Sequence, residues 1–131
     1  SRAEQISPFK HMVEMGIHVS GGSDAPVTLP DPITGIHCAC NHYNADQSLS
    51  ILQALKMFTW ETAWAGFDEQ HTGSLEAGKT ADMVILDKNP LDMNPKDLKQ
   101  LQVQKLYLKG KPFQKGQGLT TLLWNSLFKP R

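Results

Sequence analysis

The strongest constraint on this chain is an alternating apolar run that stops at two glycines and one carboxylate, Gly16-Ile17-His18-Val19-Ser20-Gly21-Gly22-Ser23-Asp24-Ala25-Pro26-Val27. Such a run is how a strand delivers a single acidic side chain to the open end of a parallel sheet or barrel, because glycine lets backbones approach and proline turns the chain away. The residues before it fit a short helix. Ser7 is placed to cap that helix and Pro8 to open its first turn, where a lost N–H costs nothing and φ is preset. Phe9, Met12 and Val13, with Met15, make its apolar stripe, and Gly16 suits the left-handed residue that ends it. A short helix feeding straight into a strand over 17–20 is the αβ half of a βαβ repeat, which places the chain in the α/β class. Residues 1–6 carry no strand of their own, so the repeat reads as cut at its front.

Beyond Asp24 a loop with Pro26, Pro30 and Pro32 leads to a helix through Ile36, Ala39 and Cys40, which Asp31 or Thr34 can start. Residues 41–47 are polar and read as a second loop. Ser50 with Gln53 three residues on is a capping box. It precedes Leu52, Leu55, Phe58 and Thr59, with Thr62 and Ala63 extending the same face, so the spacing predicts one helix over 51–64. After the turn-rich Gly73–Lys79, the run 82–87 is a strand by its β-branched centre, Val84-Ile85, and Asn89-Pro90 ends it. Pro95 is expected to open a short turn with Leu98 and Leu101. Val103–Leu108 is a further strand, turned by Lys109-Gly110-Lys111 into Pro112-Phe113. Pro112 has no N–H for a ladder, so that last strand belongs at an edge. In the tail, Leu119, Leu122, Leu123 and Leu127 stand beside Trp124 and Phe128, an amphipathic helix expected to dock on its own domain.

Thirteen basic and thirteen acidic residues cancel, so no net field draws nucleic acid or an anionic membrane. Two cysteines make no disulfide framework. The apolar runs fall far short of the ~20 residues that cross a bilayer. We expect a soluble, cytoplasmic protein without signal peptide or membrane partner, one domain at most by size or a piece of something larger.

Asp24 is the first candidate for chemistry, and a turn or N-cap aspartate in a Gly/Pro-rich loop is the plain alternative. His18, inside the predicted strand, reads as a packed or surface histidine, and His11 as solvated. The run His37-Cys38-Ala39-Cys40-Asn41-His42 places four soft ligands together. On a helix Cys38 and Cys40 point about 200° apart and cannot share a metal, whereas Cys38 and His42 can. No distant Cys-x-x-Cys completes a site, so buried cysteines and a surface histidine are expected. Glu61, Asp68, Glu69 and His71 read as solvated charge. Trp60 and Trp64 read as core or interface. Ser23 and Ser74 lack a nearby base and a nucleophile elbow.

Three blocks resemble the C-terminal end of the metal-dependent amidohydrolase superfamily, in the branch that includes N-substituted formamide deformylase and the exoenzyme regulatory proteins. Ser7-Pro8-Phe9-Lys10 through Gly22-Ser23-Asp24-Ala25-Pro26-Val27 resembles its last barrel helix–strand unit. Leu49-Ser50 through Ala54-Leu55 to Phe58-Thr59 resembles the following helix. Gly73-Ser74-Leu75-Glu76-Ala77-Gly78-Lys79-Thr80-Ala81-Asp82 and the apolar residues after it form the longest and most specific match. The resemblance implies that residues 1–65 are the end of a (β/α)₈ barrel and 66–113 the C-terminal half of a small β-sandwich, with 114–131 an added tail helix. It implies absent partners too, since the N-terminal strands of the sandwich and most barrel strands would lie upstream.

By the same resemblance the function is hydrolysis of a non-peptide carbon–nitrogen bond in a small-molecule substrate. A divalent metal, zinc, lowers the pKa of water to about 7 and polarises the carbonyl. Asp24 would be metal ligand and proton shuttle. The further ligands implied are a His-x-His pair from an early strand, a carboxylated lysine or acidic residue mid-barrel and two more histidines, on segments not present in this sequence, and His42 stands where the family often has arginine. Catalytic zinc uses at least three protein ligands, so the chain alone is expected to be inactive. Two alternatives stay open: a non-catalytic regulatory or assembly domain of the same fold, and a small zinc-binding module at 37–42. Exposed strand edges would favour a homo-oligomer or pairing with the upstream part of the parent chain.

Overall fold

Side-chain caps set where α2 and α3 start, over residues Pro32–Cys40 and Ile51–Met57. The computed structural model describes residues 6–113, and the expected tail helix lies outside them. Helix α1 (Phe9–Glu14) begins one residue later than expected, with Pro8 in the capping position and no side-chain cap. Proline pushes the residue before it out of the α region, and Ser7 stands at φ +55°. Helix α2 (Pro32–Cys40) starts at the first of its two possible caps. The Asp31 carboxylate accepts the Ile33 N–H at 3.1 Å and the Thr34 hydroxyl at 2.6 Å, and Pro32 fills the first turn. Helix α3 (Ile51–Met57) carries the full capping box: Ser50 Oγ accepts the Gln53 N–H at 3.3 Å, while Gln53 Oε1 accepts the Ser50 N–H at 2.9 Å.

The single helix expected over 51–64 is two helices. Helix α4 (Trp60–Ala65) follows Thr59, whose φ of −128° and ψ of −94° break the ladder. Two hydroxyls and one distant amide account for the break. Thr59 Oγ1 donates to the Leu55 carbonyl at 2.9 Å, and Thr62 Oγ1 donates to the Met57 carbonyl at 2.6 Å. The Gly21 N–H donates to that same Met57 carbonyl at 2.9 Å. Acceptors used in this way are withdrawn from the helical ladder.

The strand expected over 17–20 is absent: residues 17–22 carry no regular structure and pair with no strand among the described residues. Alternation chooses which side chains face inward, but a strand also needs a neighbour to bond. Val19 is buried and Gly21 is held through its N–H, so the run is anchored to α3 instead.

The sheet is antiparallel in the order β1 (Met83–Leu86), β2 (Val103–Leu108), β3 (Lys111–Pro112). Met83 lies opposite Tyr107, a bulge falls between Ile85 and Leu86, and Pro112 lies on the outer strand as its missing N–H requires. Between β1 and β2 run two 3₁₀ turns, Pro90–Asp92 and Pro95–Gln100. Asn89 and Asn94 cap them by accepting the N–H groups of Leu91 and Lys96. Leu98 and Leu101 from the second turn pack with Val19, Ile36, Ala39, Cys40, Leu49, Ala54 and Met57 in one core. Leu98 is fully enclosed, a burial that contributes about 2 kcal/mol. Among the described residues no helix is long and apolar enough to cross a membrane.

Candidate functional site

Asp24 stands at the head of a tight turn. Its carbonyl accepts the Val27 N–H at 2.9 Å, and the hydroxyl of Thr28 donates to the Ser23 carbonyl. Its own φ of +51° is left-handed, a region that asparagine and aspartate visit more readily than other L-residues. The side chain is exposed, and among the described residues no donor bonds its carboxylate. Asp31, seven positions on, is the contrast, since its carboxylate is spent on a helix cap. The Thr34 hydroxyl holds the Asp31 carboxyl below its ordinary range.

A cavity of about 680 Å³ opens beside this turn, walled by Gly22, Ser23, Leu29, Thr34, Cys38 and Phe58 among others. Asp24 is not itself part of that wall. A second cavity of about 610 Å³, reaching Phe9, Asn41, His42 and Tyr43, shares Gly21, Gly22, Gly35, Cys38 and Phe58 with the first. Phe58 therefore borders both. It fits there because Gly21 and Gly35 have no side chains: a Cβ on either would lie 2.6 Å or 2.3 Å from a ring carbon.

His18 is a surface histidine, as expected, but a paired one. Its Nδ1–H donates to Glu61 Oε2 at 2.8 Å. Its ring stacks on Trp64, with centroids 4.0 Å apart and planes 25° apart, and lies tilted on Trp60 at 5.4 Å. Glu61 is thus not solvated charge, and the two tryptophans form a shelf for His18 rather than core. Trp64 keeps 41% of its surface exposed. Reading along the chain missed this group because His18 and Glu61 are 43 residues apart. The pairing of the indoles at i and i+4 was its one visible sign. His71 and Asp68 pair at 3.2 Å on the exposed surface, and His11 is solvent-exposed as expected.

The 37–42 cluster does not gather. Cys40 is buried, which pushes its thiol pKa up, whereas Cys38 is exposed, against the expectation that both are buried. Helical geometry turns the two apart, and only one face of α2 meets the core. His42 is half-buried, with Nδ1 3.1 Å from the Asn44 carbonyl and its ring edge-on to Phe9. Asn41 Nδ2 donates to the carbonyls of His37 and Pro95, each at 2.8 Å, tying α2 to the second 3₁₀ turn. Among the described residues no group of three or more His, Cys, Asp or Glu is placed to hold a metal. A catalytic zinc needs three, so these residues do not by themselves fit one, and Asp24 offers a single carboxylate.

Residues 1–114 match the Amidohydrolase family. The chain is 30% identical over 119 residues to a Bacillus subtilis protein named amidohydrolase YtcJ, covering 83% of this chain and 22% of that protein. It is 30% identical over 113 residues to the N-substituted formamide deformylase of Arthrobacter pascens, covering 81% of this chain and 21% of that enzyme. A crystal structure of an amidohydrolase from Thermotoga maritima superposes with a TM-score of 0.60 at 23% identity, over 79% of this chain and 25% of that one. That likeness concerns the fold. The chain spans about a fifth of the length of the curated relatives it matches.

Proposed function

The chain belongs to the amidohydrolase family, and from that premise we propose that it is the Asp24-bearing, C-terminal segment of a metal-dependent hydrolase that cleaves non-peptide carbon–nitrogen bonds. In this reading residues 1–65 close the barrel and 66–113 form half of the small β-sandwich. The observation that carries it is the state of Asp24. It sits in a left-handed turn beside an apolar cavity, exposed, with a carboxylate that caps no helix.

Breaking an amide-like bond with water requires a proton to leave the attacking water and reach the departing nitrogen. A carboxylate held on a turn next to a pocket-lining residue, as Asp24 is to Ser23, can accept that proton on one oxygen and return it. Ser23 and Gly22 form the adjacent wall, and Leu29 and Phe58 offer apolar surface to the substrate's side chain. A divalent metal, zinc by family resemblance, would supply the activated water if one were held there. Asp24 would be one of its ligands, with the others contributed by segments outside residues 6–113. The deformylase relative, named for an N-substituted formamide, supports a small acylated amine as substrate class.

The test uses a protein of the relatives' full length that contains these 131 residues. Release of amine from a panel of N-formyl and N-acyl amines, lost on chelation and regained with zinc, is expected. No turnover on any member, or turnover indifferent to chelation, overturns the proposal.

A further inference from the structure

Residues 17–22 lead directly to Asp24 and have no ladder to hold them among the described residues. Their placement rests on a few anchors. The Gly21 N–H donates to the Met57 carbonyl at 2.9 Å, and Val19 is buried in the core that α2 and α3 share. His18, the neighbour of Val19, meets a different element, α4, through Trp60, Glu61 and Trp64. Consecutive residues are therefore fastened to separate supports, which fixes rotation of the run as well as its position.

We propose that His18 is a positioning residue: held by Glu61 and the two tryptophans of α4, it sets the run that presents Asp24. The proposal rests on the reading of Asp24 as the reacting carboxylate. The residue type suits the task. An imidazole can lie flat on an indole and donate an N–H in its own plane, so stacking sets one direction and the hydrogen bond another. A phenylalanine there would stack but slide, and a glutamine would bond but not stack. The contacts are partly shielded, with the side chains of His18 and Glu61 retaining 36% and 19% of their exposure. Lys56 and Gln53 of α3 line the small cavity, about 330 Å³, that His18 and Glu61 share, and Lys56 is the other charged group on it.

The displacement that matters is small, because reacting groups lose most of their advantage when misplaced by about 1 Å. The anchor should therefore be visible as local order. The Gly21 amide reports on the run, and the Ala54 amide, bonded to the Ser50 carbonyl at 2.9 Å inside the core, reports on global stability.

The test is hydrogen exchange on the 131-residue chain with His18→Ala, His18→Phe and Glu61→Gln. Each variant is expected to speed exchange at Gly21 by about tenfold while Ala54 keeps its rate. Glu61→Gln replaces a partly shielded side chain of α4 by one of the same size and is expected to keep the fold even where His18→Ala does not. Equal acceleration at Gly21 and Ala54 would mean a merely structural role and overturns the proposal, as does no change at Gly21. In the full-length hydrolase the same variants are expected to lower kcat about tenfold or more with KM little changed. Undiminished kcat despite faster Gly21 exchange overturns the positioning role. If Asp24→Asn also leaves turnover intact, the reading of Asp24 falls while the anchor of the run stands.

Discussion

Phe58 meets Gly35 so closely that a Cβ on the glycine would lie 2.3 Å from the ring's Cζ, and a Cβ on Gly21 would lie 2.6 Å from the same atom. The ring lines both cavities and follows the end of α3, so the shape of the site depends on these two glycines. Gly35→Ala and Gly21→Ala are each expected to lower unfolding stability by about 1–3 kcal/mol, because the ring must shift against its packed neighbours. Adding Phe58→Leu to Gly35→Ala should return part of that loss, a coupling readable in denaturant melts of the four species. Strictly additive losses would contradict the contact.

Asp31 predicts an acid limb of stability. Its carboxyl is held below its ordinary value of 3.8, first by the Thr34 hydroxyl and also by backbone N–H groups, with slight burial opposing them. A depressed folded pKa means that the contribution is complete above the unfolded pKa of about 4 and is lost as pH falls through the folded value. The group is largely exposed, so the effect is that of a helix cap, at most about 1 kcal/mol. Thr34→Val should flatten stability between about pH 4 and pH 2 relative to the parent chain. Superimposable acid profiles would contradict the assignment.

The two cysteines should differ in reactivity. Cys38 is exposed and Cys40 is buried, and burial raises the Cys40 thiol above its ordinary value of 9.0. Under native conditions one thiol per chain is expected to react with an aromatic disulfide reagent, and Cys38→Ser should abolish that phase. Cys40 should react only on unfolding. A raised folded pKa also means that its contribution is full below the unfolded value and fades as pH climbs beyond it. Fast labelling of Cys40 in the folded chain would contradict the packing of α2.

What could be read from the sequence was local. Ser50 with Gln53, Asp31 before Pro32, the turn opened by Pro95 and the edge position of Pro112 each depend on residues within one turn, and the structure carries all four. The break at Thr59 was not legible from periodicity, because it combines two threonine hydroxyls with the Gly21 amide arriving from a distant part of the chain. The strand over 17–20 failed for the related reason that alternation says nothing about a neighbour. The His18–Glu61 pair joins positions 43 apart, beyond the reach of any periodicity. Asp24 lies between these cases: its turn follows from Gly, Asp and Pro in sequence, while its chemistry rests on family resemblance.

The central claim is that Asp24 carries the proton in a carbon–nitrogen hydrolase. Its most direct test is kcat of the Asp24→Asn protein at full length, against its parent, on an N-formyl or N-acyl amine that the parent cleaves. Asparagine keeps the size and tolerates the left-handed turn but takes up no proton. A fall of about 10²–10⁴-fold, with the melting temperature unchanged, is the expected result. An Asp24→Asn protein that turns over within a factor of about two of its parent would contradict the account.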